Sequence, residues 1–552
     1  MLFLSFPCAW GQAAPTSTTP ELTRLCAEER WNEVVSAMPT VSQRSADLDL
    51  CYGLALAYLE KWNEADKILR NRERQDPRDK RFPLELAGVA FKQSHYKEAT
   101  MWLHRGLRLD PHDAYANDFL GTVYFLQGNL EAALKYWNRV KKPEIVAVRS
   151  DPVPKLDPII LDRAFAFSPA STLQLQELLA SEVRLRSLAI FPKRQFDLQP
   201  RADGKFDLIF RNREKRGIAD NKWMALLMML RGLPAQSIYP EVFNLRHEAL
   251  NFTSFYRWDK EKRRVRADFS GPLRRNPAQH FHLGLDLRNE NWDVRPSFTG
   301  IVPELGSLNL RREAAAADLT SLVGGRWQWS AGVEFSHRDF RNVILGPAVT
   351  SGLLAEGFQL KQTLQLNAHL WRYPERRMTL SGSVSSQAGH IWSQPGHTFE
   401  KLQTSLYWNW FPLPVGDDYE VQQRIWAGKT FGDAPFDELS VLGIGGDNDL
   451  WMRGHVSTRD GMKGSGPLGR GYFLSNWELD KNIHRFQLLT LKAGPFVDTG
   501  KITDSIPGLG SHKWLCDVGV EAKAGVLGFG VIVSYGKDLR SGNNALFVSF
   551  LR

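Results

Sequence analysis

From Trp223 to Arg552 the chain reads as one series of short strands separated by turns rich in Gly, Pro, Asn and Asp, with no helix between them. Several strands alternate strictly. In KQTLQLNAHLW, Leu364, Leu366, Ala368 and Leu370 share one face and Thr363, Gln365, Asn367 and His369 the other; in QTSLYWNWF, Leu406, Trp408 and Trp410 oppose Ser405, Tyr407 and Asn409. No run of about 18 apolar residues occurs, which excludes a bundle of membrane-spanning helices and leaves a membrane β-barrel open. A soluble sandwich would show the same period. The contents of the second face decide between them: in CDVGVEAKA, Glu521 and Lys523 alternate with Val518, Val520, Ala522 and Ala524, as a lipid-facing band over a polar lumen requires. Trp327, Trp329, Trp371, Tyr373 and the Tyr407–Phe411 group lie near strand ends, where aromatic girdles meet headgroups. The expectation for 221–552 is a transmembrane β-barrel of about 16 antiparallel strands, give or take two.

Ahead of the strands the period changes. Residues 22–148 carry a helical pattern that repeats at 34 residues: Pro77 with Pro111, Ala65 with Ala99 and Ala133, and the bulky Trp62, Tyr96 and Leu130 three places earlier. The stretch AYANDFLGTVYFLQGNLEAALKYW, with Leu120, Gly121, Tyr124, Gly128, Ala133 and Trp137, resembles a tetratricopeptide repeat. Three clear units and a degenerate earlier one around Trp31 imply an all-α solenoid whose inner surface holds a peptide or partner helix, or which is simply a spacer. Residues 1–14, an apolar run followed by Gly11, Ala13 and Ala14, read as a truncated signal peptide. After export, Cys26 and Cys51 either pair or stay as two buried thiols.

The Pro-rich stretch Pro143–Pro158 reads as a linker, and 155–216 as a small α+β module. In it IILDRAFAF is expected as a strand, STLQLQELLASEVRLRSLAIF as one or two helices, and RQFDLQPRADGKFDLIFRNREK as two strands turning at Asp203 and Gly204. The unit resembles a polypeptide-transport-associated domain, a periplasmic module whose free strand edge takes up an extended client segment.

Two motifs near the C-terminus carry the most specific signal. VLGIGGDNDLWMRGH holds Gly445, Gly446, Arg453 and Gly454; LLTLKAGPFVDTGKI holds Phe496, Asp498 and Gly500. Together they resemble the outer-membrane barrel superfamily of barrel assembly factors and two-partner-secretion transporters (the bacterial surface antigen type). The resemblance implies a long loop folded into the lumen whose tip Arg, here Arg453, pairs with an acid on a late strand, here Asp498. Parity agrees, since Thr490, Lys492, Gly494, Phe496 and Asp498 share one face. Gly454 and Gly500 then allow close backbone approach. Two positions depart from the pattern. His455 stands where the family has an aromatic residue after Arg-Gly, and the chain ends on Arg552 rather than on an aromatic, with Phe550 the nearest substitute.

The resemblance implies an outer-membrane protein with periplasmic N-terminal domains that assembles or translocates an unfolded or partly folded polypeptide client, in contact with outer-membrane lipid and lipopolysaccharide. The alternative is a structural or adhesion protein, or a solute pore, whose repeats bind another envelope protein. No nucleotide-binding Gly loop, G-x-S-x-G elbow or H-E-x-x-H helix occurs, and four scattered cysteines make no thiolate site, so neither an enzyme nor a cofactor or metal is expected. The net charge of +9 has no compact recognition module behind it, and nucleic acid is not an expected partner.

Overall fold

The structure is a computed structural model; it describes residues 19–41, 43–215, 217, 226, 229–230, 232–295, 304–485, 489–505, 513–526 and 529–551. The signal-like residues 1–14 and the terminal Arg552 lie outside them. The chain divides into two compact units, Met1–Pro143 and Glu144–Arg552.

The first unit is helical: α1 (Thr19–Ala27), α2 (Trp31–Ala37), α3 (Ala46–Tyr58), α4 (Trp62–Gln75), α5 (Arg81–Lys92), α6 (Tyr96–Leu109), α7 (Ala114–Leu126) and α8 (Leu130–Trp137). Each helix packs on the next, and the pairs are α1–α2, α3–α4, α5–α6 and α7–α8. The repeating small residues explain the pairing. A Cβ on Gly53 would lie 2.4 Å from Leu69, and one on Gly121 would lie 2.4 Å from the Trp137 ring, so each glycine is a socket for a bulky side chain of the partner helix. Ser45, Asp113 and Asn129 cap α3, α7 and α8 by accepting a backbone N–H. A disulfide joins Cys26 of α1 to Cys51 of α3.

The second unit begins with β1 (Glu144–Asp151), α9 (Pro158–Ala164), β2 (Ser171–Thr172), α10 (Leu175–Ser187), β3 (Lys193–Pro200) and β4 (Phe206–Arg213). These strands form a sheet in the order β2-β1-β4-β3, with β1 parallel and β3 antiparallel to β4. Two readings of the sequence are corrected here. The stretch Pro143–Pro158 is not merely a linker, because Glu144–Asp151 supplies the strand that pairs with β4. IILDRAFAF is not a strand: Asp157 accepts from the Ile159 N–H and Pro158 occupies the first turn, which together start a helix. Leu208 and Phe210 are fully buried on one face of β4, with Phe210 against the rings of Phe165, Phe191 and Phe196.

The remainder is a large sheet. Its wall is built from β5 (Ser237–Ile238), β6 (Glu241–Leu245), β7 (Leu250–Trp258), β8 (Lys262–Leu273), β9 (Asn276–Asp293), β10 (Ser307–Val323), β11 (Trp327–Ile344), β12 (Gly357–Tyr373), β13 (Met378–Trp392), β14 (His397–Trp410) and β15 (Tyr419–Gly432). Three two-residue strands follow inside one long loop, β16 (Ser440–Val441), β17 (Thr458–Arg459) and β18 (Met462–Lys463). The wall resumes with β19 (Leu468–Arg485), β20 (Leu489–Ser505), β21 (Leu515–Val526), β22 (Phe529–Asp538) and β23 (Asn544–Leu551). Successive wall strands pair antiparallel, and the strand order comes round from β23 to β5. Both β5 and β6 pair with β7, so they are one strand interrupted at Tyr239 and Pro240.

The two faces of this wall are inverted relative to a water-soluble sheet. Leu364 is 63% exposed and Val520 58%, with Leu366, Leu406, Trp327 and Val384 exposed beside them, while Asp498 and Arg338 are fully buried and Glu521 nearly so. Apolar side chains therefore point outward and charges inward. The small module meets one rim of the wall: Asp157 N–H donates to the His247 carbonyl (2.7 Å), Asn251 Nδ2 to the Leu188 carbonyl (2.9 Å), and Ser187 Oγ lies 2.7 Å from His280 Nε2. These contacts, with Gly325 of the β10–β11 turn against Ala180, set α10 on the β9–β11 arc of that rim.

Candidate functional site

The loop between β15 and β19, residues 433–467, lies against the inner face of the wall. Val441 pairs with Leu468, and Lys463 pairs with Trp292 of β9. Alternation along β19, β20 and β21 turns Asn476, Glu478, Asp498, Asp517 and Glu521 inward, and the loop tip arrives among them.

Arg453 is 1% exposed and Asp498 fully buried. The guanidinium grips the carboxylate with two bonds, Nε to Oδ2 (2.9 Å) and Nη2 to Oδ1 (2.6 Å), and the Arg453 backbone N–H adds a third to Oδ2 (2.9 Å). Its remaining nitrogen, Nη1, donates to Glu478 Oε1 (2.8 Å) and Glu521 Oε2 (3.2 Å). The cation also lies 3.8 Å from the centre of the Phe496 ring. Asn476 Nδ2 donates to Asp498 Oδ1 (2.8 Å), and Lys523 Nζ bridges Glu478 (2.6 Å) and Asp480 (2.8 Å), so the charges close into a network. A loop fixed this way is hard to lift, because removing either partner strands the other charge in a dry interior.

The glycines fall into two groups. A Cβ on Gly454 would meet Asp517 Cγ at 2.7 Å, and one on Gly500 would meet Met452 Sδ at 2.6 Å; both seats need the bare backbone. Gly445 would strike Ser457 Oγ at 2.2 Å, whereas a Cβ on Gly446 would meet nothing within 4 Å. His455 does not pack as an aromatic substitute. Its Nδ1 lies 3.1 Å from Asp517 Oδ2 and its Nε2 3.6 Å from Asp538 Oδ2, and Asp517 also accepts the Gly454 N–H at 2.6 Å. These three residues bring ligand atoms within 4.8 Å of one another. The ring, however, turns opposite nitrogens to the two carboxylates, which suits a proton-bridged triad rather than one metal centre.

The loop is held at two further places that the motifs do not announce. At its start, Asp437 accepts from Arg338 Nη1 (2.8 Å), and Glu438 accepts from Lys361 Nζ (3.2 Å), with Arg312 3.7 Å from both carboxylates. Near its middle, Asp447 accepts from Arg257 Nη1 (2.7 Å), and on its return Lys463 donates to the fully buried Glu290 (2.8 Å). The three anchors reach three arcs of the wall: β10 to β12, β7 to β9, and β19 to β22. Glu478, Glu521 and Asp517 were legible only as inward positions of alternating strands; Asp437 and Glu438 sit in a single 3-10 turn, Phe436–Glu438, and Asp447 in a turn of the loop, where no period marks them.

No family model matches the chain, and no curated protein matches it. Among solved structures it is similar to BamA from Haemophilus ducreyi lacking POTRA domains 1-3 (13% identity, 74% of this chain and 84% of that one, TM-score 0.43). It is also similar to CdiB from Escherichia coli (12% identity, 74% and 76%, TM-score 0.47) and CdiB from Acinetobacter baumannii (12%, 76% and 80%, TM-score 0.44). With identity this low, function has to be argued from the chain's own side chains.

Proposed function

We propose that this chain is an outer-membrane protein that moves a polypeptide client through, or into, the outer membrane. The observation that carries the reading is the loop bearing Arg453, seated inside the sheet with its guanidinium in a two-bond grip on Asp498. A simple solute pore gains nothing from closing its own lumen with a charge-locked loop, whereas a gated polypeptide conduit must stay shut between clients.

The outward apolar face supports a wall set in lipid, closed as a barrel of about 16 strands with a polar interior. The small sheet with its free β3 edge fits a polypeptide-transport-associated module that adds a client strand. The helical pairs fit tetratricopeptide repeats acting as a scaffold or as the seat of an envelope protein. Both would stand in the periplasm, and the Cys26–Cys51 disulfide suits that oxidising compartment. In this reading Arg453, Gly454, Phe496, Asp498 and Gly500 lock the loop, Gly445 shapes its approach, and the driving force comes from folding or insertion of the client.

The test is to delete the gene in its host and compare the outer-membrane and secreted proteomes, restoring the wild-type chain as control. Loss of one protein identifies a dedicated exporter and broad loss an assembly factor; unchanged proteomes overturn the proposal.

A further inference from the structure

The charged anchors of the loop leave one arc of the lumen untouched, and its chemistry is different. On β12 between Lys361 and His369, and on β14 after Lys401, every inward position is uncharged; the inward positions of β13 between Ser381 and Ile391 are uncharged too. Their outward neighbours Leu364, Val384 and Leu406 are exposed apolar residues, which fixes the parity. Thr363, Gln365, Ser383, Ser385, Gln403 and Ser405 form the uncharged side of a cavity of about 930 Å³, whose other sides are the loop and charged residues of the neighbouring strands such as Lys401, Arg424 and Glu478. A second cavity of about 510 Å³ lies beneath α10, bordered by Arg186 and Ser187, and it shares Ser383 and Ser405 with the first. The two spaces are thus bordered by the same pair of hydroxyls, whose oxygens lie 2.7 Å apart.

We infer that this hydroxyl and amide lane is the path of an extended polypeptide, recognised through its backbone and without regard to sequence. The inference rests on the conduit reading above and adds where, and by what chemistry, the client travels. An extended chain presents an N–H and a C=O at every residue, about 3.3 Å apart, and each needs a partner where water is scarce. Ser, Thr, Gln and Asn side chains offer donor and acceptor alike, so they satisfy either group and favour no register. A fixed charge would instead hold client residues of opposite sign and repel those of like sign. On the strands that follow, β15 to β21, the charges are mostly committed: Glu478, Asp480 and Lys523 to one another and to Arg453, and Glu420 to Lys492, while Arg424 lies 5.5 Å from the Tyr407 ring centre at the edge of the lane.

The test uses the full chain with Cys8→Ser and Cys516→Ser and with Arg453→Ala to unlock the loop and open the channel, carrying Ser385→Cys or Gln403→Cys in the lane, or Val384→Cys on the outer face as control. Each protein is folded and reconstituted in planar bilayers before the thiol is labelled with a cationic, an anionic or a neutral methanethiosulfonate, so folding is not at issue. The probes are synthetic unstructured peptides of Ser, Gly, Asn and Thr, made neutral, cationic or anionic, with neutral dextran alongside. Unlabelled protein should show current blocks of similar duration for all three peptides. A charged label in the lane should lengthen blocks by the oppositely charged peptide about tenfold or more, while the neutral label and the outer-face label should not. Peptide blocks indifferent to lane labels, no peptide blocks, or blocks by dextran alone overturn the lane. Deletion proteomes judge the conduit separately: if they show a dependent client while the peptides ignore the labels, only the lane fails.

Discussion

Arg338 donates from Nη1 to Asp437 Oδ1 across 2.8 Å, with the arginine side chain fully buried and the aspartate 3% exposed. This pair ties the first turn of the loop to β11, whereas Arg453 ties the tip to β20, and the two share no partner. Independent sites of this kind add in free energy to within about 0.5 kcal/mol. Asp437→Asn and Arg453→Lys should therefore each loosen the loop, and the double variant should loosen it by the sum. Single-channel conductance in planar bilayers, read as the fraction of time spent open, checks this; strong coupling would show that the loop has one anchor rather than several.

Arg453→Ala leaves Asp498, Glu478 and Glu521 facing one another, with Lys523 still paired to Glu478 and Glu521 but no guanidinium on Asp498. Stranding buried charges in this way costs about 3–5 kcal/mol. The expected result is a channel that opens frequently where wild type stays shut, together with protease cleavage inside 433–467. Arg453→Lys keeps the charge but loses the planar two-bond grip and the stacking on Phe496, and should fall between. A closed, protease-resistant Arg453→Ala protein would dispose of the lock.

Much of this architecture was legible in the sequence because it is periodic. Alternation in 363–370 and 517–524 announced the wall and its parity, and the glycine and alanine spacing around Gly121 and Ala133 announced the helical pairs. Helix α9 was misread because IILDRAFAF is apolar enough for either state, and the deciding signal was the cap Asp157 with Pro158 after it. β1 was missed because Pro143 and Pro152 flank it and disguise a strand whose pairing partner, β4, lies some 60 residues on. At the lock, Arg453 and Asp498 came from motif resemblance. Asp437 and Glu438 were invisible because what selects them is the position of Arg338 and Lys361 on strands about 100 and 77 residues away.

Gly536 on β22 is seated as tightly against the loop tip as the motif glycines. A Cβ there would lie 2.3 Å from the Arg453 carbonyl oxygen and 2.9 Å from the Gly454 nitrogen, so Gly536→Ala should push the tip off its seat. Gly446→Ala, whose Cβ meets nothing within 4 Å, should leave it in place. Overpacking of this kind costs about 1–3 kcal/mol. The pair is checked by conductance in the same bilayers: an open channel for Gly536→Ala and a closed one for Gly446→Ala.

The disulfide spans 25 residues and joins α1 to α3, across the short pair α1–α2 that ends the helical stack. Closing a loop of that size restricts the unfolded chain by about 3 kcal/mol in the chain-entropy account. Cys26→Ser with Cys51→Ser should lower the melting temperature of the helical circular dichroism signal by several degrees and expose the α1–α2 segment to protease first. An unchanged melt would mean that packing around Val34 and Met38 alone holds that end.

Glu85 on α5 gives the helical unit a pH dependence of unusual sign. Burial raises its carboxyl from 4.5 to about 7. The same position pushes the Tyr115 hydroxyl up to about 12, through burial first and the negative charge of Glu85 second. Since the folded pKa lies above the unfolded one, the folded state holds its proton longer. The helical unit therefore keeps its full stability below about pH 4.5 and loses part of it as pH rises from there through about 7. Glu85→Gln removes the titration. It should raise the melting temperature of the helical signal at pH 8, by the equivalent of about 1–2 kcal/mol, and flatten its slope between pH 5 and 8, while leaving stability near pH 4 unchanged. A variant that melts like wild type at every pH would place Glu85 in water, and a variant destabilised at pH 8 would mean that the carboxylate has a partner the wild-type helices depend on.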